Sequence, residues 1–207
     1  MKTKDQMAEP EALTDDNATA RASQGDSEAF SYLYEQNVNR IYNYVFYRVG
    51  SEADAEDITS RVFFRAFGHI SNYVDKGVPF SAWLYRIAHN LIANWHRDNF
   101  RRHEVSLDEH IDLPQRIEQP EATMEQTQEV ELLLRAIRNL TEDRQQLLVL
   151  KFTEHLSNAE IAVIMNKSEG AVKSLYHRSL ASLKVEMKKL GFQEEGLIVV
   201  GGEEESE

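Results

Sequence analysis

The chain has 207 residues, of which 42% are apolar and 28% charged, the proportions of a globular protein rather than a disordered one. It contains no cysteine, which excludes disulfides, thiolate metal sites and cysteine nucleophiles. A formal net charge of -12 argues against nucleic acid only until its distribution is read.

Lys and Arg against Asp and Glu number 2 against 5 in residues 1–19 and 10 against 9 in residues 20–103. They number 1 against 7 in residues 104–128, 10 against 8 in residues 129–190, and 0 against 6 in residues 191–207. The acid sits in the two tails and one linker, and the two remaining segments are near neutral. Acidic segments of this kind compete with DNA for basic faces, so weak DNA binding by the free chain is expected.

Residues 1–19 are polar, lack a sustained apolar period and read as a disordered tail. From residue 20 to 103 the pattern is helical almost throughout, and marks a first domain. Asp26 or Ser27 can cap a helix carrying Phe30, Leu33, Ile41 and Val45, which Gly50 ends. Ser51 opens a second helix with Ile58, Val62, Phe63, Ala66, Phe67 and Ile70 inward. A loop, Ser71–Pro79, leads to a long helix with Phe80, Trp83, Leu84, Ile87, Leu91 and Trp95 on its apolar face, running to about Arg97.

Residues 104–128 are acidic, hold Pro114 and Pro120, and read as an extended linker. A second helical domain covers 129–190, with Thr141 capping a helix that bears Leu147, Leu148, Leu150 and Phe152. Within it, Ser157 and Glu160 have the spacing of a capping box, Asn166 can take the left-handed conformation that stops a helix, and Ser168 can cap the next. Val172, Leu175 and Leu183 then point one way, while Gly170, Lys173, Ser174, His177 and Arg178 point the other. That is the form of a helix-turn-helix presenting a recognition helix, although such a corner can also serve packing alone. No strand alternation is present, so the fold class is all-α, with two small domains. Residues 191–207 form an acidic tail holding Leu197–Val200 between glycines; it reads either as disordered or as a short docking or degradation segment.

The first domain carries two further patterns. On its long helix Arg86, Asn90, Asn94, Arg97 and Arg101 recur at steps of three or four, a stripe suited to phosphates and base edges. Aromatic residues interleave with it. Phe80, Trp83 and Trp95 lie on the core stripe, which leaves Tyr73 and Tyr85 as candidates for stacking on an unpaired base. On the preceding helix Asp54, Asp57, Ser60, Arg61 and Phe64 lie away from the core, and a Phe among charges suggests a partner surface as readily as solvent. His89, His96, His103 and His110 fall seven apart, two turns rather than the one of a usual metal pair, so no metal site is expected. No catalytic triad or carboxylate pair stands out, and neither an enzyme nor a cofactor is expected. No apolar run approaches membrane-spanning length and the N-terminus lacks a signal-peptide core, so a cytoplasmic protein without membrane insertion is expected.

Taken together, these stretches resemble a bacterial sigma factor of the extracytoplasmic-function (ECF) group of the sigma-70 family. Asp54–Phe67 is similar to that family's core-polymerase-binding helix, Phe80–Asn90 to its promoter-melting segment, and Leu140–Leu150 with the helix-turn-helix to its sigma-four domain. The resemblance implies core RNA polymerase and promoter DNA as partners, and an anti-sigma factor as a further one. It implies that Asp54, Asp57, Ser60, Arg61 and Phe64 grip the polymerase clamp. The loop with Tyr73, Asp75 and Lys76 is implied to capture a flipped base of the minus-ten element. Tyr85, Arg86, Asn90, Asn94, Arg97 and Arg101 would hold the adjacent DNA, and the acidic linker would thread the polymerase cleft. Gly170, Lys173, Ser174, His177 and Arg178 are implied to read the minus-thirty-five element.

The chain departs from the family pattern in three places. Ser60-Arg61 stand where Gln-Glu is usual, Leu175 and Leu180 stand where arginine is frequent, and the tail beyond residue 190 is extra. The nearest rival is a LuxR-type regulator, whose motif also contains a Leu-Ser-Asn-x-Glu-Ile-Ala run like Leu156–Ala162. Residues 20–103, however, offer neither receiver strands nor a phosphoacceptor pocket.

Overall fold

A computed structural model describes residues 12–74, 79–103 and 124–192, with eight α-helices among them. They are α1 (Asp15–Ser23), α2 (Ser27–Val49), α3 (Glu52–His69), α4 (Phe80–His103), α5 (Met124–Arg138), α6 (Glu142–Phe152), α7 (Asn158–Met165) and α8 (Glu169–Lys189), with a 3-10 turn at Ile70–Asn72. The described residues contain no strand.

Caps set most of the boundaries. Asp26 accepts from the amides of Glu28 and Ala29 at 3.0 and 3.1 Å, and its carboxylate pairs with Arg21 at 2.7 Å. The Ala29 amide and Arg21 together hold its carboxyl below the usual carboxylate range. Gly50 closes α2 at φ 77°, a left-handed conformation that a residue with a Cβ resists. Ser51 then caps α3 through the amide of Asp54 at 3.3 Å.

The fold begins earlier than residue 20. Thr14 and Asn17 form a reciprocal capping box, the Thr14 amide donating to Asn17 Oδ1 at 3.0 Å. Helix α1 then packs the fully buried Ala18 and Ala22 against α2. Two alanines four apart bury little area, which is why no apolar period marks this helix. Helix α4 likewise continues past Arg97 to His103, and α5 starts at Met124, inside the stretch read as linker. Residues 104–123 and 193–207, including the Leu197–Val200 segment, lie outside the described residues.

In the first domain α2, α3 and α4 enclose Leu33, Ile41, Ile58, Val62, Leu84 and Leu91, each at most 2% exposed. In the second, α5 to α8 enclose Leu147, Leu148, Leu150, Ile161 and Val172. Truncating any of these leucines or isoleucines to Ala costs roughly 2–5 kcal/mol by transfer and cavity terms. The two cores join: α2 and α4 pack against α5, α6 and α7, and one continuous apolar cluster runs through both domains. Two residues assigned inward by periodicity lie outside instead, Phe67 at 60% and Phe152 at 48% exposed. Each sits at the edge of its apolar stripe, against the neighbouring ring of Phe30 or Tyr176.

Candidate nucleic-acid interface

The helix-turn-helix is built as its residue pattern requires. The Ser157 amide donates to Glu160 Oε2 at 2.8 Å while the Glu160 amide donates to Ser157 Oγ at 3.2 Å. The Ser157 hydroxyl and amide hold the Glu160 carboxyl below its ordinary range. Asn166, at φ 53° and ψ 48°, ends α7, and Ser168 Oγ accepts from the Ala171 amide at 3.3 Å to start α8. Val172 and Ser179 are fully buried on the inner side of α8, and Leu183 nearly so. The Ser179 hydroxyl donates to the Leu175 carbonyl at 2.7 Å, so a polar residue sits there without an unmet bond.

That anchoring leaves Gly170, Lys173, Ser174, His177 and Arg178 all exposed on the outer side. The Arg178 side chain lies along its own helix, Nε donating to the Ser174 carbonyl at 3.2 Å. A Cβ added to Gly170 meets nothing within 4 Å, so packing does not require glycine there. Two cations, two small hydrogen-bonding or hydrogen-bond-neutral positions and an imidazole on one exposed helical face form a donor-rich strip that fits a groove.

A second exposed face lies on α3. Phe64 is 80% exposed, Asp57, Ser60 and Arg61 are exposed beside it, and Asp54 is half-buried. Asp57 and Arg61 pair along the helix at 3.3 Å. The patch is wider than its sequence pattern: Phe67 meets Phe30 edge to face at 5.0 Å, and Tyr34, 43% exposed, meets Phe63 at 4.8 Å. The exposed rings of Phe64, Phe67 and Tyr34 thus cluster among charges on one face instead of lying scattered over the surface.

The basic stripe of α4 divides. Asn90 and Arg97 are exposed, and Asn94 is half-buried, accepting from Arg97. Arg86 is turned inward, its Nη2 donating to the Val163 carbonyl on α7. Arg101 lies on the last turn of α4 with its side chain outside the description, as are Asp75 and Lys76. Tyr73 is half-buried and packs edge to face on Phe80 and Trp83, at 5.6 and 5.2 Å. Tyr85, expected at the nucleic-acid face, is instead fully buried, stacked edge to face on Tyr44 at 5.0 Å. Burial first, and the nearby Glu154 carboxylate second, push its hydroxyl well above the ordinary phenol range. A ring with no open face cannot receive a base, so Tyr85 belongs to the core here.

Three features carry no local sequence signal. Arg40 and Glu154 pair across the domains at 2.8 Å, 114 residues apart. Arg48 is 1% exposed, its Nη1 donating to the Tyr44 hydroxyl at 2.8 Å and lying 3.3 Å from His89 Nδ1. His89 and His96 both have their basicity lowered, by burial first and by Arg48 second. Among the described residues no three metal-binding side chains converge, and no helix is long and apolar enough to cross a membrane.

Comparison with known proteins covers both domains. Residues 33–102 match the family model for Sigma-70 region 2, and residues 130–183 match that for Sigma-70, region 4. The chain is similar to the ECF RNA polymerase sigma factor BldN of Streptomyces coelicolor, 39% identical over 79% of this chain and 62% of that protein. It is also similar to the RNA polymerase sigma factor YlaC of Bacillus subtilis, 30% identical over 76% of this chain and 91% of that protein. Among solved structures, that of CnrH in complex with the cytosolic domain of CnrY aligns with a TM-score of 0.63 at 22% identity, over 84% of this chain and 97% of that one. The sigma factor RpoE in complex with the anti-sigma factor NepR from Bartonella quintana aligns at 0.63 and 18% identity, over 77% and 96%.

Proposed function

We propose that this chain, which belongs to the ECF group of the sigma-70 family, binds core RNA polymerase and directs it to initiate at a defined set of promoters. It is an initiation factor rather than an enzyme. The observation that carries the reading is the presence, in one chain and in this order, of a region 2 domain with an exposed aromatic face and a region 4 domain with an exposed recognition helix. The region 2 match also removes the LuxR-type rival, which needs a receiver or sensor domain at that place.

The exposed phenyl of Phe64, flanked by Asp54, Asp57, Ser60 and Arg61, supports the α3 face as the polymerase contact. Lys173, Ser174, His177 and Arg178, with Gly170 allowing close approach, support α8 as the reader of the minus-thirty-five element. Asn90, Asn94, Arg97 and Arg101 support contact with the minus-ten region, joined by Arg86 once its bond to Val163 is released. Tyr73, Asp75 and Lys76 frame the loop for base capture, since a pocket and basic contacts offset the few kcal/mol of unstacking. The work is cytoplasmic, where polymerase and promoter are. An anti-sigma protein is the natural restraint, as the structural neighbours CnrH and RpoE were each solved with a bound partner, NepR being named an anti-sigma factor.

The test is run-off transcription with Lys173→Ala and Arg178→Ala on templates with and without a minus-thirty-five element. A base-reading side chain contributes roughly 1–3 kcal/mol, so promoter use falls about 5- to 150-fold on the intact template only. Equal loss on both templates removes base reading from α8.

A further inference from the structure

The two rows of α8 that carry the recognition residues do not stop at Arg178. Lys173 and His177 lead at steps of four to Ala181 and Val185, and Ser174 and Arg178 lead likewise to Ser182 and Glu186. These last four residues form one wall of a groove of about 340 Å³, with Leu140, Thr141 and Arg144 on the other. Arg144 donates to Ser182 Oγ at 2.8 Å, and Glu186 accepts from Lys189 at 2.7 Å. The polar side chains at the edge are thus already paired, while Val185 stays 52% exposed. Groove and recognition strip are one continuous surface, apolar at one end and cationic at the other.

Helix α8 ends in a turn that bends the chain off the helix axis. Gly191, at φ 91°, donates to the Lys188 carbonyl at 3.1 Å, and the Phe192 amide donates to that of Met187 at 3.0 Å. Residues 193–207 hold six glutamates, no Lys or Arg, and one apolar run, Leu197, Ile198, Val199 and Val200, between Gly196 and Gly201. We propose that this run occupies the groove of its own chain. Glu203, Glu204 and Glu205 then lie over Lys173, His177 and Arg178, so the tail covers the recognition strip until DNA displaces it. The consequence for DNA rests on the promoter-reading role of α8 given above; the docking itself does not.

Lengths and charges agree with this placement. At 1.5 Å per residue, Val185 and Ala181 lie roughly 10–17 Å back along α8 from Phe192, and Lys173 roughly 28 Å back. The five steps from Phe192 to Leu197 span up to about 17 Å when extended, and the eleven to Glu203 up to about 36 Å. Ile and Val favour extended backbone, whose alternate side chains share a face, so two aliphatic side chains enter the groove together. Among the described residues neither Lys173 nor Arg178 pairs with a carboxylate, and Arg178 bonds a carbonyl of its own helix. A short tether holds the run at an effective concentration of roughly millimolar, so a contact of only millimolar affinity is already about half occupied.

The absence of native cysteine allows a nitroxide at Ser206→Cys to report where the tail lies. In the isotope-labelled full chain, amide resonances of residues 173–185 are expected to broaden. Ile198→Asp with Val199→Asp, or Val185→Glu in the groove, restores them, and an unchanged Tm in the tail variant separates lost docking from lost fold. Deleting residues 193–207 raises affinity for a labelled duplex from upstream of the chain's own coding sequence about three- to tenfold at low salt, and less at high salt. Sharp resonances in the labelled chain, or broadening that survives the Asp substitutions, overturn the docking. Broadening of a nitroxide-free chain by a labelled one assigns the groove to a second copy and overturns it too. So does a Val185→Glu variant that keeps the broadening but loses core polymerase, since the groove then belongs to polymerase. Docking with DNA affinity unchanged by the deletion overturns the covering of α8. If neither form binds any duplex, the reading of α8 fails, while the resonances still decide the docking.

Discussion

Phe64→Ala separates folding from binding at the α3 face. The ring is 80% exposed, and a phenylalanine side chain presents about 200 Å², so roughly 160 Å² is available for burial by a partner. At about 25 cal/mol per Å² complete coverage corresponds to about 4 kcal/mol, and a central anchor realises about 2–4 kcal/mol of this kind on truncation. Affinity for core polymerase is therefore expected to fall about 30- to 1,000-fold. Folding gains almost nothing from a ring so exposed, and its removal changes stability by no more than about 0.5 kcal/mol. Binding is read by titrating labelled chain with core polymerase, and folding by thermal melting followed by circular dichroism. Unchanged affinity with an intact fold would refute the assignment of this face, as would lost affinity accompanied by a collapse in Tm.

Gly170→Ala distinguishes helix stability from DNA approach. The position is open and helical, so alanine adds about 1 kcal/mol of helix propensity and raises Tm by roughly 2–4 °C. If α8 lies against DNA, the added methyl lowers minus-thirty-five-dependent initiation in the same variant; unchanged initiation takes Gly170 out of the interface. Acid also weakens the fold through His89 and His96. Burial and Arg48 oppose protonation of both rings; Glu142 favours it at both, and at His89 Asp143 also favours it while Lys167 opposes it. A folded-state value below the unfolded one, near 6.5, means that stability is intact above that pH and declines as pH falls below it. Tm is therefore expected to drop between pH 7.5 and 5.5, and the combined His89→Gln and His96→Gln variant to flatten the slope. An unchanged slope assigns the loss to other groups.

What was legible in the sequence was local. Ser157 with Glu160, Asn166, Ser168 and Gly50 act through bonds or backbone conformations within a few residues, so their spacing is enough to place two helix starts and two helix ends. The exposed outer face of α8 follows from the buried Val172, Ser179 and Leu183 opposite it. What was not legible depends on which helices meet. Tyr85 looks like an interleaved aromatic until α2 places Tyr44 over it and the turn after α6 brings Glu154 beside it. Phe67 falls next to a strong apolar stripe, yet its ring is 60% exposed and meets α2 only through the edge of Phe30. Arg40 and Glu154 are ordinary surface charges by pattern, and only packing makes them partners. Arg86 has the right step for a DNA-facing stripe, yet a carbonyl on α7 holds it. Residues 75–78, central to the expected base-capture loop, lie outside what the structure describes.

The most direct measurement is reconstituted initiation: purified core polymerase and candidate promoter templates, among them the region upstream of the chain's own coding sequence, with and without the chain. Promoter-specific transcripts are expected only when the chain is present, and they are expected to disappear with Phe64→Ala. Transcripts from none of the templates, or the same transcripts without the chain, would contradict the account.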